Sequence, residues 1–228
     1  MGKLSVIIPT LNAGMELRRS LPPLAVFEGL DILRELILVD GGSDDDTLAI
    51  GDAAGAQIIN AERGRGRQLA TGGVAAQGEW LLFLHADTVL DARWRDAIDA
   101  FMENPENQAH AGYFRFALDD SSFAARVLEK FVALRCWLFG LPYGDQGLLI
   151  KRDHYRNLGG FTTMPFLEDV ALVRRIGRKR MTPIKATATT SAARYRRDGY
   201  LVRSLRNFTC LTLYFLGAPP RLLLKIYI

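Results

Sequence analysis

Residues 35–47 read ELILVDGGSDDDT, and this stretch decides how the rest of the chain is organised. Glu35 to Asp40 is almost continuously aliphatic, the pattern of a strand buried on both faces, and such strands occupy the centre of parallel sheets. Gly41 and Gly42 turn the chain. Asp44, Asp45 and Asp46 then precede an LAIGDAAG segment that reads as a capped helix start. The same order recurs on either side. LSVIIPT (residues 4–10) is a β-rich run followed by an amphipathic stretch from Met15 to Leu30. Gln57 to Ile59 is a brief third strand ahead of a helix over 68–76. WLLFLHAD (residues 80–87) is a fourth strand, followed by a helix over 92–102. Four strands alternating with helices predict an α/β fold, a Rossmann-like, mostly parallel sheet flanked by helices.

Beyond residue 110 the rhythm loosens. GYFRFAL (residues 112–118) alternates like a strand with one wet face, and a helix over 121–139 takes Ser121 or Ser122 as its cap. GLLIK is a short strand, and a basic helix is expected over 168–180. PIKATATT (residues 183–190) is an edge strand, because Pro183 lacks an N–H for a central ladder. No linker or repeat divides the chain. A domain over 1–190 with a basic, apolar helical extension over 191–228 is the expected organisation.

The chain has 228 residues, 49% of them apolar and 10% aromatic, which excludes disorder and allows a sizeable core. Cys136 and Cys210 match no metal or redox spacing and read as buried thiols of a reducing compartment. The uncharged run Asn207–Pro220 is too short to span a bilayer, and Leu4–Ile8 is too short for a signal-peptide core, so a cytoplasmic protein is expected. The net charge of +4 conceals an asymmetry. Residues 1–170 carry 16 Lys and Arg against 24 Asp and Glu, whereas 171–228 carry 13 against the single acid Asp198. That basic tail is either a solvated face or a seat for an anionic partner. Tyr195 and Tyr200 are thin aromatic interleaving among its cations, so phosphate or a membrane surface is favoured over nucleic acid. The tail helix is expected to pack on the core or on a second subunit. The alternative is a peripheral membrane contact.

In an open parallel sheet, ligands bind beyond the carboxyl ends of the strands. Thr10 and Asn12 follow the first strand, Asp40 ends the second and Asp87 ends the fourth. Asp40 suits a ribose or base donor group, or simply an Asx turn. Asp87 suits a hard divalent cation, with one carboxylate sharing the ion with phosphate oxygens and water. His85, on the same side of that strand, is a second ligand or an ordinary hydrogen-bonded residue. In RGRGRQ (residues 63–68) the glycines permit close approach and the guanidiniums match phosphate, or the segment is a solvated loop. It is not a Walker A loop. PYGDQG (residues 142–147) places Asp145 and Gln146 in a turn or a polar-ligand loop. Glu168 and Asp169 begin a helix, either complementing its dipole or supplying a general base.

VIIPTLN, LVDGGSDDDT, GEWLLFLHADT, GDQG and FLEDVAL, in this order and spacing, resemble the family 2 glycosyltransferases of the GT-A fold over residues 4–180. The short chain with HADT, GRGRQ and GDQG is similar to a bacterial subfamily often linked to arsenosugar biosynthesis. The resemblance implies a nucleotide-diphosphate sugar as donor, an acceptor hydroxyl and Mg²⁺ or Mn²⁺ as cofactor. By the same resemblance Pro9, Thr10, Asn12 and Asp40 border the nucleotide, and Asp45 is the later acid of the Asp40 motif. Asp87 corresponds to the last acid of the metal motif, and Asp169 to the catalytic base, with Glu168 as its partner. Asp145 and Gln146 lie near the donor sugar and acceptor. Departures are Gly41 for a second aspartate, Leu11 for an aromatic, His85 for the first metal-motif acid and Ala70 for an asparagine.

The expected chemistry is a single displacement that inverts the anomeric carbon. Arg65 or Arg67 would stabilise the departing diphosphate, joined by Arg194, Arg196 or Arg197 from the tail. Two other classes remain open on the sequence: a nucleotide-binding module without transferase activity, and a Rossmann-type methyltransferase.

Overall fold

The computed structural model describes residues 3–24 and 32–227. Strands β1 (Leu4–Thr10), β2 (Leu33–Asp40), β3 (Gln57–Asn60) and β4 (Trp80–Phe83) pair in parallel in the order β3-β2-β1-β4. Register brings Thr10 beside Asp40 and Asp40 beside Asn60, so three strand tips form one rim. Side chains alternate between two cores, as a two-residue period requires. Val6, Ile8, Leu36 and Leu38 pack with Leu17, Trp94 and Ile98 on one face. Ile7, Ile37 and Val39 pack with Leu69, Tyr155 and Leu172 on the other. Helices α1 (Gly14–Ser20), α2 (Thr47–Ala53) and α4 (Trp94–Glu103) therefore belong to the first layer. Helices α3 (Arg65–Ala75), α5 (Phe123–Phe139), α6 (Arg152–Asn157) and α7 (Glu168–Ile176) belong to the second.

The second half of the sheet departs from a parallel reading. Strand β7 (Leu148–Lys151) runs antiparallel to β4, and β6 (Ala111–Leu118) antiparallel to β7. Strand β8 (Met181–Thr190) lies parallel to β6, and the two-residue β5 (Val89–Leu90) closes the order β3-β2-β1-β4-β7-β6-β8-β5. The edge assignment of residues 183–190 is half right. Pro183 pairs with Tyr113 on one side and, among the described residues, has no strand on the other, while Ala188 and Thr189 are flanked by both β6 and β5.

Other boundaries shift for local reasons. The amphipathic stretch from Met15 stops as a helix at Ser20, and residues 25–31 lie outside the described residues. The fourth strand ends at Phe83, so His85 to Asp87 are a turn rather than strand. Helix α3 starts at Arg65, which makes the arginine–glycine segment a helix start instead of a loop. The basic helix expected to reach residue 180 breaks at Gly177, whose φ of 84° is left-handed, and Arg178–Arg180 form a 3-10 turn. Ser122 caps α5, accepting from the Ala125 N–H.

The chain ends in α8 (Ala193–Asp198), α9 (Tyr200–Phe215) and α10 (Pro220–Tyr227). Cys210 and Leu223 from this segment join Phe166, Leu167 and Val170 in a small third core at the start of α7. Cys136 and Cys210 are both buried and free. No helix among the described residues is long and apolar enough to cross a membrane.

Candidate active site

The rim at β1 and β2 is held by its own hydrogen bonds. Thr10 Oγ1 donates to Asp40 Oδ1 at 2.9 Å, and the N–H groups of Gly42 and Ser43 donate to Asp40 Oδ2 at 2.8 and 2.7 Å. The Ser43 hydroxyl donates to Oδ1 as well. Burial pushes the Asp40 carboxyl up, but these bonds from Ser43, Gly42 and Thr10 outweigh it and hold it below its ordinary range. Asp40 is thus buried with both oxygens engaged. It shapes the turn after β2. Asn12, in the left-handed region at φ 48°, donates its N–H to Ser43 Oγ and accepts from the Asp44 N–H. Asp45 accepts from the Thr47 N–H and from the Gly14 N–H at 3.0 Å, so the acidic turn and α1 are tied together. Pro9 lies on β1 beyond Ile7, the last residue paired with β4.

Gln68 is the residue that sequence reasoning missed here. Its buried Nε2 donates to Thr10 O at 2.7 Å and Val39 O at 2.9 Å, fastening α3 beneath both strand tips. A polar residue among Leu69, Gly72 and Gly73 on the inward face of α3 was the available signal. Gly66 lets the start of α3 approach the 162–168 segment. A Cβ there would meet Met164 O at 2.5 Å and Thr162 O at 2.6 Å. That approach brings Arg65 Nε into an ion pair with Glu168 Oε1. The Glu168 side chain is 1% exposed, and its Oε2 has no partner. Burial raises its carboxyl; Arg65 opposes this and Asp169 adds to it. Glu168 and Asp169 face Arg65, whose side chain is about one-third exposed, and hold it more firmly charged.

The loop before β7 completes the cluster. The Gly144 N–H donates to Asp169 Oδ2 at 2.7 Å, and a Cβ on Gly144 would lie 2.5 Å from His85 Nε2. His85, Gly144 and Asp169 are therefore in contact. The other Asp169 oxygen accepts from the Val170 N–H at 2.8 Å. Asp145 is pushed up to about 6 by burial; Arg135 opposes the shift, and the charges of Asp169 and Asp87 add to it. Its Oδ1 is buried without a partner. Burial also raises Asp87, against the pull of Arg194 and a hydrogen bond from Thr190. Burial, Arg65 and Arg194 hold the His85 imidazole well below its usual range, hence neutral near pH 7.

Of the three tail arginines, only Arg194 faces this cluster. Arg196 pairs with Asp119 at 2.8 Å and Arg197 with Asp198 at 2.7 Å. Arg194 Nη1 donates to the Tyr227 hydroxyl at 3.3 Å, and Tyr227 lies near Arg65. Burial raises the Tyr195 hydroxyl, and the nearby Asp145 charge raises it further. Arg194 was among the cations expected to stabilise the diphosphate, and Tyr195 and Tyr227 join it in walling the site.

The structure therefore brings Asp87, Asp145, Glu168, Asp169 and Arg65 together. Pro9, Thr10, Asn12 and Asp40 lie on the β1–β2 rim instead, and two further expected residues join neither group. Arg67 pairs with Glu62 on the outer side of α3. The Gln146 side chain is buried: Nε2 donates to Phe114 O at 3.0 Å, and Oε1 accepts from Arg135 Nη2 and Cys136 Sγ at 3.2 Å. It braces the Asp145 loop. A cavity of about 620 Å³ lies away from the carboxylates, between α5, β6 and β8.

Among the described residues, no three His, Cys, Asp or Glu side chains form a ready-made metal site. The residues nevertheless suit a divalent cation whose remaining ligands come from a substrate. Asp145 Oδ1 is orphaned, and Asp87 and Asp145 carry raised carboxyls that a positive charge would relieve. Asp169, with one backbone N–H on each oxygen, keeps acceptor capacity for a hydroxyl proton.

A family model described as glycosyl transferase family 2 matches residues 5–164. Proteins named PGL/p-HBAD biosynthesis glycosyltransferase, from Mycobacterium bovis and Mycobacterium tuberculosis, are 40% identical over 161 residues. That match covers 61% of this chain and 62% of theirs, so the chain spans less than two thirds of these relatives' length. Among solved structures, S. aureus TarS 1-349 superposes with a TM-score of 0.66 at 15% identity, over 99% of this chain and 69% of that one. The mannosyltransferase PcManGT from Pyrobaculum calidifontis, in complex with GDP-Man and Mn²⁺, gives 0.65 at 19% identity, over 91% and 61%. Glucosyl-3-phosphoglycerate synthase from Mycobacterium tuberculosis, with Mg²⁺ and UDP, gives 0.59 at 17%, over 83% and 70%. At these identities the structural likeness establishes the fold: α/β, mostly parallel, of the GT-A kind.

Proposed function

The chain belongs to glycosyl transferase family 2, and on that premise we propose that it moves a sugar from a nucleotide-diphosphate donor to an acceptor hydroxyl with inversion. The observation that carries this reading is the convergence of Asp87, Asp145 and Asp169 with Arg65 and Arg194 beyond the ends of the parallel strands. A methyltransferase or a module without activity has no comparable support. The arsenosugar association stays a proposal of the motifs alone, since the relatives are named for PGL/p-HBAD biosynthesis.

In this reading the Asp40–Ser43 turn, Asn12 and the tips of β1 and β2 seat the nucleoside, with Gln68 keeping the tips in place. Asp87 would hold Mg²⁺ or Mn²⁺ together with the donor's diphosphate oxygens, and Asp145 faces the same charge. The bound ion supplies charge neutralisation on the departing nucleotide diphosphate. Arg65 and Arg194 add fixed positive charge on the same side, and Glu168 holds Arg65 in position. Asp169 takes the proton of the acceptor hydroxyl as its oxygen attacks the anomeric carbon from the face opposite the leaving group. Residues 1–190 form the transferase domain, and the 191–228 extension walls its site. The free, buried thiols support placement in a reducing, cytoplasmic compartment.

The test pairs binding with turnover. Thermal unfolding is followed with UDP, GDP, CDP and TDP, each with Mn²⁺, Mg²⁺ or EDTA, and transfer is then assayed with the nucleotide sugar that responds. A ligand at 100 times its Kd adds about 2.7 kcal/mol of stability. Asp169→Asn is expected to keep the metal-dependent shift and lose turnover by about 10²–10⁴-fold. Wild-type rates from that variant would remove the base assignment.

A further inference from the structure

Helix α9 turns Cys210 and a buried arginine toward its own domain and leaves a long apolar side exposed. Its inward side carries Arg203, which is buried, pairs with Asp198 at 3.2 Å and lies 4.3 Å from the Tyr227 ring. Its outward side carries Leu201, Leu205, Phe208, Thr212 and Phe215, an i, i+4, i+7 stripe without a charge. Phe208 is 67% exposed and Leu216, just past the helix, 77%. Helix α5 contacts α9 and carries exposed apolar residues of its own, Phe131, Leu134 and Leu138. Sixteen residues at 1.5 Å each, two helices wide, make an apolar face on the order of 500 Å², the size at which such patches are functional.

Two observations select what covers it. Lys130 on α5 and Arg221 and Lys225 on α10 are exposed and have no acidic partner among the described residues; residues 171–228 hold 13 cations and one acid. Arg174 lies 5.0 Å from the Phe215 ring at the other end of the stripe. A second copy would press this cationic border against itself, and the face falls short of the roughly 800 Å² per partner that stable interfaces bury. An anionic bilayer answers both features: acyl chains take the Leu and Phe stripe, and headgroup phosphates take the cations.

We propose that the α5–α9 face, bordered by Lys130, Arg221 and Lys225, docks on anionic lipid bilayers. The docking holds whatever group is transferred. Its corollary rests on the transferase reading: α9 and α10 pack on Phe166, Leu167 and Val170, beside Glu168 and Asp169, so the acceptor hydroxyl belongs to a bilayer-resident molecule.

The test is co-sedimentation of the full chain with vesicles of phosphatidylcholine alone and of phosphatidylcholine mixed equally with phosphatidylglycerol. The chain is expected to pellet with the anionic vesicles and to be released by high salt. Phe131→Ser/Leu205→Ser/Phe208→Ser changes only exposed positions, so it is expected to keep the wild-type Tm and the nucleotide-dependent shift. Its partitioning should fall at least about tenfold. Lys130→Gln/Arg221→Gln/Lys225→Gln is expected to lose on the order of a hundredfold on anionic vesicles. A chain that stays in the supernatant, partitioning that neither variant alters, or a dimer by light scattering that the serine variant dissociates would each overturn the docking. A chain that pellets but answers no nucleotide diphosphate leaves the docking standing and removes the transferase reading.

Discussion

Replacing Arg65 by Met tests the Arg65–Glu168 pair while keeping the aliphatic stem. In the native chain Glu168 is 1% exposed, its Oε2 has no partner and Arg65 is the cation on its Oε1. Removing one member of a buried ion pair costs about 3–5 kcal/mol, because a charge is left unpaired in low dielectric. The Arg65 side chain is 35% exposed, so water reaches that side of the pair and weakens the effect. Halving the figure gives about 2 kcal/mol, or about 4–8 °C in Tm for a chain of this length.

The sign with pH is fixed by the direction of the shift. Burial raises the Glu168 carboxyl, Asp169 raises it further, and loss of Arg65 removes the main opposing charge. A folded state that holds its proton more tightly than the unfolded state loses stability as pH rises through the raised pKa. The deficit of Arg65→Met relative to wild type is therefore expected to be full near pH 8 and to fade toward pH 5, measured by urea unfolding at each pH. Adding Glu168→Gln to Arg65→Met removes the buried charge and is expected to recover most of the loss at pH 8. Equal deficits at both pH values, or a double variant no more stable than Arg65→Met, would refute the reasoning.

Asp145→Asn is expected to stabilise the fold at pH 8. The wild-type carboxyl, pushed up to about 6, loses stability as it ionises, so the variant gains about 3 kcal/mol in chemical unfolding, and the gain vanishes below about pH 4. The same variant should lose transfer activity, as expected where a functional site stores unfavourable charge. Gly66→Ala places a methyl against two backbone carbonyls and is expected to cost about 1–3 kcal/mol and most of the activity, read by Tm and transfer rate together. Gln68→Leu strips the amide donors from Thr10 O and Val39 O and is expected to cost about 1–3 kcal/mol and to raise the Kd for the responding diphosphate.

Much of the first half of the fold is legible in the sequence because its signals are local. Strand positions follow from aliphatic runs such as Leu36–Val39 that must be buried on both faces, and Asp40 marks where the run meets the rim. The second half is less legible. Nothing local states that β7 enters antiparallel between β4 and β6, or that β5, only two residues long, caps β8. Those pairings join segments tens of residues apart, and their stability lies in partners rather than in their own pattern.

The sequence by itself determined the strand–helix alternation, the acids at the strand ends, the basic tail and the ordered motifs that mark the family. Only tertiary structure decided which of these side chains meet. Arg65 and Arg67 are two residues apart in one short motif, yet the segment is a helix start, and two helical residues lie about 200° apart around the axis. One reaches Glu168 in the site and the other reaches Glu62 at the surface. Gln146 neighbours Asp145, but the loop turns its amide into the core while Asp145 faces Asp87 and Asp169. Arg194 and Tyr195 enter from the far end of the chain because α9 and α10 pack on the start of α7. A residue's type and spacing are written in the chain. The direction of its side chain is set by the helix phase and by the neighbours that exclude it elsewhere.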